Sequence, residues 1–282
     1  MIDISVIIPF YYGNGYINKL LCCINKNIVH LSGIAVEIII MNDSPEIDVV
    51  ISDCYAMNIK IFSNERNMGI HYSRVAGLKH ASGTYIIWID QDDVIPDTAI
   101  LSQLTKIGNG DAVCGNAYIE NKNGKLQLLY PNKLLHSSIN CMCLYMLLGN
   151  RIVSPGQVMF RKSAIPQEWQ NKILQNNGSD DLLLWLLFLN NNKRFICNED
   201  VVYTHVYTGC NFSRDLDKLL ISNNEIITIL EKHNLICENM LARYKRRVKF
   251  LENVNQKRVK SYVRNIDILL LRILNKLLKF FP

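Results

Sequence analysis

Three carboxylates stand within four residues at the end of one apolar stretch. Asp90, Asp92 and Asp93, with Gln91 among them, close the run 84–90. Carboxylates this close repel one another unless a cation or hydrogen-bond donors offset their charge. Mg²⁺ and Mn²⁺ favour oxygen ligands, and Mg²⁺ commonly shares one or two carboxylates with the phosphates of a substrate. The cluster therefore predicts a metal and diphosphate site, with a solvated acidic turn as the alternative.

A second acidic pair stands later in the chain. Asp180 and Asp181 directly precede the strongly apolar segment 182–187, which predicts a buried helix over 180–190. A carboxylate at the start of a helix satisfies free backbone N–H groups and the helix dipole. Capping accounts for one of these two residues, and it does not require both.

The elements that must position these residues alternate in type. Short apolar, β-branched runs predict strands at 4–10, 36–42, 59–63 and 84–90, and the segments between them predict helices at 14–28, 46–56 and 69–82. Further on, the patterns predict a hairpin of 111–120 with 126–130, a helix at 134–148 and a strand at 157–161. Such alternation indicates an α/β fold whose mainly parallel sheet binds ligands at the carboxyl ends of its strands.

Three of the predicted strands end in distinctive residues. The first ends in Pro9, Phe10, Tyr11 and Tyr12, the second in Asn42 and Asp43, and the fourth in the Asp90 cluster. Because the ends of parallel strands share one edge of a sheet, we expect the three groups to converge.

The order of these motifs resembles family 2 glycosyltransferases of the GT-A fold, a group that includes many bacterial capsule and O-antigen sugar transferases. The matching segments are SVIIPFYY at 5–12, EIIIMNDS at 37–44, Asn67-Met68-Gly69 with Arg74, ASGTYIIWIDQDD at 81–93 and SDDLLLWL at 179–186. The resemblance covers about residues 3–215. It implies the nucleotide-diphospho-sugar transferase fold, with a central sheet flanked by helices and a helical C-terminal extension.

The resemblance also implies a donor site. Tyr11 would stack on the base, Asp43 would accept from its imide N–H, and Arg74 would lie near the base or the diphosphate. The other donor-binding positions in the matching motifs are Pro9, Asn67, Gly69, Asp90 and Gln91. The DQDD sequence also occurs in rhamnosyltransferase-like relatives, so both UDP- and dTDP-sugars are candidate donors.

The same resemblance implies metal ligands and a catalytic base. Asp90 and Asp92 would serve the ribose and a Mn²⁺ or Mg²⁺ ion, with Asp93 adjacent, and His205 would reach the metal or the diphosphate unless its role is structural. Alignment on Trp185 of the apolar helix assigns the base to Asp181, with Asp180 as a supporting carboxylate. The family commonly has Glu-Asp here, so a one-residue ambiguity remains.

The implied domains are a catalytic region and a C-terminal extension. The catalytic region spans 1–215, with a nucleotide-binding half at 1–110 and an acceptor-binding half at 111–215. Residues 216–282 form a basic, amphipathic helical region. The implied activity is inverting sugar transfer from a nucleotide diphosphate to a glycan or lipid-linked glycan in surface polysaccharide synthesis.

Composition sets the cellular expectations. The first residues enter a strand without a secretion signal, and the nine cysteines show neither CxxC pairs nor a regular framework. We therefore expect reduced, mostly buried thiols and an active site facing the cytoplasm. We expect no nucleic-acid partner, and the basic character behind the net charge of +6 belongs to one end of the chain.

That end is a second candidate surface. Residues 243–282 hold twelve Lys and Arg against Glu252 and Asp267, a net charge of +10. Because the whole chain has a net charge of +6, residues 1–242 have a net charge of −4. An apolar stripe with helical spacing runs through Ile266, Leu269, Leu270, Ile273, Leu274, Leu277, Leu278 and Phe281, with basic residues around it including Lys260 and Arg264. This pattern favours peripheral attachment to an anionic inner membrane surface. The alternative is packing on the catalytic domain or on a second subunit of a homo-oligomer.

Two other functions fit parts of the sequence. A nicotinamide-dependent oxidoreductase would use Gly13-Asn14-Gly15 after the first strand and Asp43 after the second, but Asn18 stands where the third glycine belongs. A non-catalytic nucleotide-sugar-binding assembly protein would use the basic tail as its working part. Neither alternative has a use for both acidic clusters.

Overall fold

The chain forms two compact units, seen in a computed structural model that describes residues 2–52, 56–209, 215–256 and 265–280. The sheet unit comprises Met1–Leu129, Val153–Ile165 and Arg194–Gly209. The helical unit comprises Tyr130–Ile152, Pro166–Lys193 and Cys210–Pro282. The region predicted as a C-terminal extension thus shares a unit with helices from the middle of the chain.

Eight strands form the sheet. They are β1 (Ile4–Phe10), β2 (Val36–Asn42), β3 (Asn58–Ser63), β4 (Tyr85–Trp88), β5 (Ala112–Glu120), β6 (Leu126–Leu128), β7 (Val158–Arg161) and β8 (Phe195–His205). Their order is β3-β2-β1-β4-β7-β5-β6, with β8 also paired to β5. The predicted strands, including the β5–β6 hairpin, are confirmed within two residues at each end.

The first four strands form the parallel half predicted from the sequence. β1 lies between β2 and β4 and is buried along its whole length, as expected for a strand covered on both faces. The other half is mixed, because β7 runs antiparallel to both β4 and β5, whereas β8 runs parallel to β5. The carboxyl ends of β1, β2 and β4 consequently share one edge, as predicted.

Three helices flank the sheet within its unit: α1 (Ile17–Val29), α2 (Ile70–His80) and α3 (Ala99–Ile107). The helix expected over 46–56 was wrong, because the described residues of that segment are turns and irregular chain. Two asparagines around the start of α1 explain the difference. Asn14, just before α1, and Asn18 within it exchange hydrogen bonds of 2.9–3.0 Å with backbone groups at positions 48–52, which removes the need for helical ones.

The helical unit contains seven α-helices in its described part. They are α4 (Lys133–Ser137), α5 (Met142–Leu148), α6 (Gln167–Asn171), α7 (Asp180–Asn190), α8 (Leu216–Lys232), α9 (Glu238–Asn255) and α10 (Ile266–Leu277). The single helix expected over 134–148 is interrupted by a 3₁₀ turn at Ser138–Asn140. The hydroxyls of Ser137 and Ser138 donate to the carbonyls of Leu134 and Leu135, at 3.0 and 2.5 Å, which favours such a break.

The C-terminal helices pack inside the helical unit. α9 lies against both α8 and α5, and α10 lies against α5. Tyr244, Val248 and Phe250 of α9 are buried. None of the described helices combines the length and the apolar character needed to cross a membrane.

None of the described cysteines is in a disulfide. The expectation that they are mostly buried was wrong, because among them Cys114 alone is buried, whereas Cys22, Cys141 and Cys237 are exposed. Cys54 and Cys210 lie outside the described residues, as do Lys260, Arg264 and Phe281 of the predicted basic stripe.

Candidate active site

The end of β1 presents an aromatic side chain held by its neighbours. The side chain of Tyr11 is 49% exposed, which leaves its ring accessible. The amide of Gln91 accepts from the Tyr11 backbone N–H and donates to the Tyr11 carbonyl, both at 2.9 Å. The hydroxyl of Ser44 accepts from the backbone N–H of Tyr12 at 3.1 Å. Gln91, predicted to contact the donor, therefore fixes the loop that carries Tyr11, while Pro9 is buried within β1.

Asp43, after β2, fixes the chain that enters α2. Its carboxylate is 5% exposed and accepts three hydrogen bonds, from the Asn64 amide at 2.7 Å, the Met68 N–H at 2.7 Å and the Gly69 N–H at 2.8 Å. Gly69 precedes α2 with φ +89°, a conformation that favours glycine, and the side chain of Asn67 accepts from its N–H at 3.2 Å. Asp43 is thus a structural anchor of the 64–69 loop, and its predicted contact with a base stays a prediction.

The same loop sets the position of Arg74 in α2. Arg74 is buried, and its Nη2 lies 2.5 Å from Oδ1 of Asp90. The hydroxyl of Ser154 donates to Oδ2 of Asp90 at 3.2 Å, and the Trp88 indole donates to the Arg74 carbonyl at 3.1 Å. A buried guanidinium therefore compensates the negative charge of Asp90, and the predicted contact of Arg74 with a base or diphosphate stays a prediction.

Asp93 is directed toward β8. The Val206 N–H donates to its Oδ1 at 2.7 Å, the Tyr203 hydroxyl donates to its Oδ2, and Nδ1 of His205 lies 3.3 Å from that oxygen. Burial alone would lower the pKa of His205, but the neighbouring Asp93 outweighs it and raises that pKa. The structure brings His205 and Asp93 together, and their contacts connect β8 with the end of β4. The predicted role of His205 at a metal or diphosphate stays a prediction.

Asp92 is the carboxylate of the cluster that has no ion-pair partner among the described residues. Burial, followed by repulsion from Asp93 and Asp90, raises its pKa to about 6. The described residues contain no group of three or more His, Cys, Asp or Glu arranged to hold a metal ion. The arrangement nevertheless fits a divalent cation that takes one or two protein carboxylates and completes its shell with phosphates and water. A cation beside Asp92 would offset the repulsion from Asp90 and Asp93, which adds to the effect of burial on its pKa.

The second acidic pair lies in the helical unit, at the start of α7. Asp180 is buried, and its carbonyl accepts from the Trp169 indole at 2.9 Å. Asp181 is half-buried; its Oδ1 accepts from the Leu182 N–H at 2.7 Å, and its Oδ2 accepts from the Asn150 amide at 2.5 Å. Ser179 occupies the N-cap position without forming a side-chain capping bond. Neither aspartate is therefore the N-cap residue, and Asp181 is the more accessible of the two.

The sequence interpretation missed three residues of these sites. Ser44 and Ser154 bond to groups at strand ends, and Asn150 bonds to Asp181 across 31 positions of sequence. Ser44 belongs to the motif quoted above at 37–44. Ser154 begins the sequence Ser154-Pro155-Gly156, which precedes β7. Nothing in the local sequence indicates the contact of Asn150.

A family model supplies the decisive comparison, since the model for glycosyl transferase family 2 matches residues 5–167. The chain belongs to glycosyl transferase family 2. The match spans the Tyr11, Asp43, Arg74 and Asp90–Asp93 segments and ends before Asp180. This glycosyltransferase therefore has the predicted type of activity, and the oxidoreductase alternative is set aside.

Individual relatives agree with this assignment. The "Cholesterol galactosyltransferase" of Borreliella burgdorferi is 28% identical over 265 residues, which cover 86% of this chain and 72% of the relative. The "Minor teichoic acid biosynthesis protein GgaB" of Bacillus subtilis is 31% identical over 98 residues, which cover 34% of this chain and 11% of the relative.

Solved structures of S. aureus TarS share the fold of this glycosyltransferase. TarS residues 1–349 give a TM-score of 0.57 at 18% identity, with 90% of this chain and 74% of that chain covered. The same TarS fragment has been solved in complex with UDP-GlcNAc, again with a TM-score of 0.57. The chain has the predicted GT-A fold, a mixed α/β sheet with flanking and C-terminal helices.

We predict that Asp43→Asn loosens the 64–69 loop. An amide must turn an NH₂ group toward at least one of the three donors that now meet a carboxylate, which leaves a buried donor unsatisfied. The unfolding free energy should fall by about 1–3 kcal/mol. Hydrogen exchange followed by mass spectrometry should show faster exchange at Met68 and Gly69. Asp48→Asn, at a partly exposed side chain, is the matched control, and unchanged exchange in Asp43→Asn would contradict the anchoring role of Asp43.

Proposed function

We propose that this glycosyltransferase moves a sugar from a UDP- or dTDP-sugar to a hydroxyl of a glycan or lipid-linked glycan, with inversion at the anomeric carbon. The observation that carries the proposal is the half-buried carboxylate of Asp92, which has no ion-pair partner among the described residues and lies at the sheet edge that also carries Tyr11 and Arg74. The TarS complexes with UDP and UDP-GlcNAc support a nucleotide-sugar donor. The teichoic acid and galactosyltransferase relatives support a role in surface glycan synthesis.

The sheet unit provides the donor side of the reaction. The exposed ring of Tyr11 offers a flat apolar face on which a pyrimidine can stack. Asp92, with Asp90 beside it, would hold Mn²⁺ or Mg²⁺ together with the diphosphate. When bound, the cation neutralises charge that develops on the departing diphosphate. Asp93 and His205 then support the site by fixing β8 against the strand end that carries Asp92.

The helical unit provides the base in this proposal. Inversion by single displacement needs a group that removes the proton of the acceptor hydroxyl as its oxygen attacks the anomeric carbon. Asp181 suits this role better than Asp180, because it is partly exposed whereas Asp180 is buried. The Asn150 amide and the Leu182 N–H orient its two oxygens.

The first test of the proposal is metal-dependent binding of the nucleotide. Asp92→Asn should abolish the gain in affinity that Mn²⁺ or Mg²⁺ gives to UDP or dTDP, because the amide lacks the charge that attracts the cation. Isothermal titration calorimetry with and without chelator measures this gain. Asp97→Asn, an exposed carboxylate on the same segment, is the control. Equal affinity with and without chelator in the unsubstituted protein would contradict the metal assignment.

A second test addresses the base. Asp181→Asn should remove most of the turnover, a loss of about a hundredfold or more, while nucleotide affinity stays within about twofold, since the base acts only in the transition state. Release of nucleoside diphosphate measures turnover and also separates an enzyme from a silent binding protein. Turnover lost in Asp180→Asn but kept in Asp181→Asn would reverse the assignment.

We also propose that α10 attaches the enzyme to an anionic membrane surface. Ile266, Leu270, Ile273, Leu274 and Leu277 are each at least half exposed and follow one face of the helix, while Ile268 faces the protein. The exposed Lys276 borders this apolar face, and Arg272 and Lys279 are also nearby along the helix. An apolar face with a basic border is complementary to an anionic bilayer and lies in its interface.

Flotation with full-length protein tests this attachment. Phosphatidylglycerol-containing vesicles should carry the protein, phosphatidylcholine vesicles should carry less of it, and added salt should weaken the association. Leu270→Ser with Ile273→Ser and Leu274→Ser should abolish flotation without unfolding, because all three side chains are exposed. If the protein ignores both vesicles and the triple variant instead dissociates a dimer in analytical ultracentrifugation, the face is a subunit contact.

A further inference from the structure

Arg247 of α9 is a buried cation without an anionic partner among the described residues. Arg247 is only 8% exposed, and no described carboxylate forms an ion pair with it. Its Nη1 donates to Oδ1 of Asn223 at 3.2 Å, and its Nε has no hydrogen-bond acceptor in the described part of the chain. Burial lowers its pKa. An apolar residue of similar size is commonly at least as stable in such a place, so stability alone does not explain the guanidinium.

One set of contacts leads from Arg247 to the start of α7. Oδ1 of Asn223 accepts from Arg247 and also from the Tyr244 hydroxyl at 2.7 Å. Because the guanidinium can only donate, the Asn223 amide is oriented with its NH₂ group toward Ser179. That group donates to the Ser179 hydroxyl at 3.0 Å. Ser179 is the N-cap residue of α7, immediately before Asp180 and Asp181.

A second set of contacts leads from Arg247 to the carboxylate of Asp181. Gly149 ends α5 with φ +94°, and a Cβ at this position would lie 2.3 Å from Nη2 of Arg247. The guanidinium therefore packs directly on this turn of backbone, which only glycine permits. The next residue, Asn150, donates to Oδ2 of Asp181 at 2.5 Å. Arg247 thus supports both segments that flank Asp181.

We propose that Arg247 is a positioning residue that holds the carboxylate of Asp181 in its reactive orientation, through Ser179 on one side and Gly149-Asn150 on the other. This inference rests on the proposed function, in which Asp181 is the base. A displacement of a catalytic group by about 1 Å can cost about a hundredfold in rate, so rigid support of an aspartate at a helix start has a direct kinetic use. The C-terminal helix α9 is then part of the catalytic machinery.

The test compares two arginines on the same helix. Arg247→Met should lower kcat by about ten- to a hundredfold and leave the KM for the nucleotide-sugar within about twofold. Arg246→Met, at a partly exposed arginine that pairs with Asp267, should leave both constants unchanged. Asn150→Ala, at an exposed residue, should lower kcat without lowering the melting temperature. The double variant of Arg247 and Asn150 should lose no more than the larger single loss, because both act through Asp181.

Two outcomes would overturn the proposal. One is an Arg247→Met protein that melts at a lower temperature but keeps its kcat. The other is a double variant in which the two losses of kcat multiply. If Arg247→Met does not fold, Arg247→Lys keeps the charge but replaces the planar guanidinium by a single ammonium, and it should still lower kcat. Full activity in both Arg247→Lys and Asn150→Ala overturns the proposal. Turnover retained in Asp181→Asn contradicts the proposed base itself. An inactive Asp181→Asn with an active Arg247→Met contradicts only the positioning role.

Discussion

Repulsion among the carboxylates at the end of β4 is the interaction on which the arrangement of this edge of the sheet depends. Three acidic side chains in four residues are stable at a buried strand end only when most of their charge is compensated. Arg74 compensates Asp90, and the groups of β8 satisfy Asp93. Asp92 remains half-buried with a raised pKa, chiefly because of its burial. In the proposed mechanism, a cation bound beside it would offset the charge of the cluster.

Much of the sheet unit serves that arrangement. Asp43 fixes the loop into α2, and α2 in turn places Arg74 against Asp90. The Asp93 contacts connect β8 with β4, two strands far apart in sequence. Gln91, from the middle of the acidic cluster, sets the loop that carries Tyr11. The Asp90–Asp93 cluster, the loop that carries Tyr11 and the 64–69 loop thus form one connected arrangement at this edge of the sheet.

The parallel strands could be predicted from the sequence because apolar, β-branched runs are local signals. The family could be predicted because its motifs occur in order along the chain. Two helix predictions were wrong where side chains replaced backbone groups as hydrogen-bond partners. Asn14 and Asn18 bond to the backbone of the segment predicted as a helix over 46–56. Ser137 and Ser138 bond to carbonyls of the preceding turn, where the helix predicted over 134–148 is interrupted. Contacts such as those of Asn150 with Asp181, or Arg247 with Gly149, join residues distant in sequence. They follow from tertiary packing, for which a single sequence carries no periodic signal.

In the proposed mechanism, Asp181 of the helical unit activates the acceptor for a single displacement, and no covalent sugar–enzyme intermediate forms. The stereochemistry of the product tests this mechanism most directly. With an α-linked nucleotide sugar as donor, NMR of the isolated product should show a β-linked sugar from the coupling at its anomeric proton. An α-linked product, which retains the donor configuration, would contradict the single displacement.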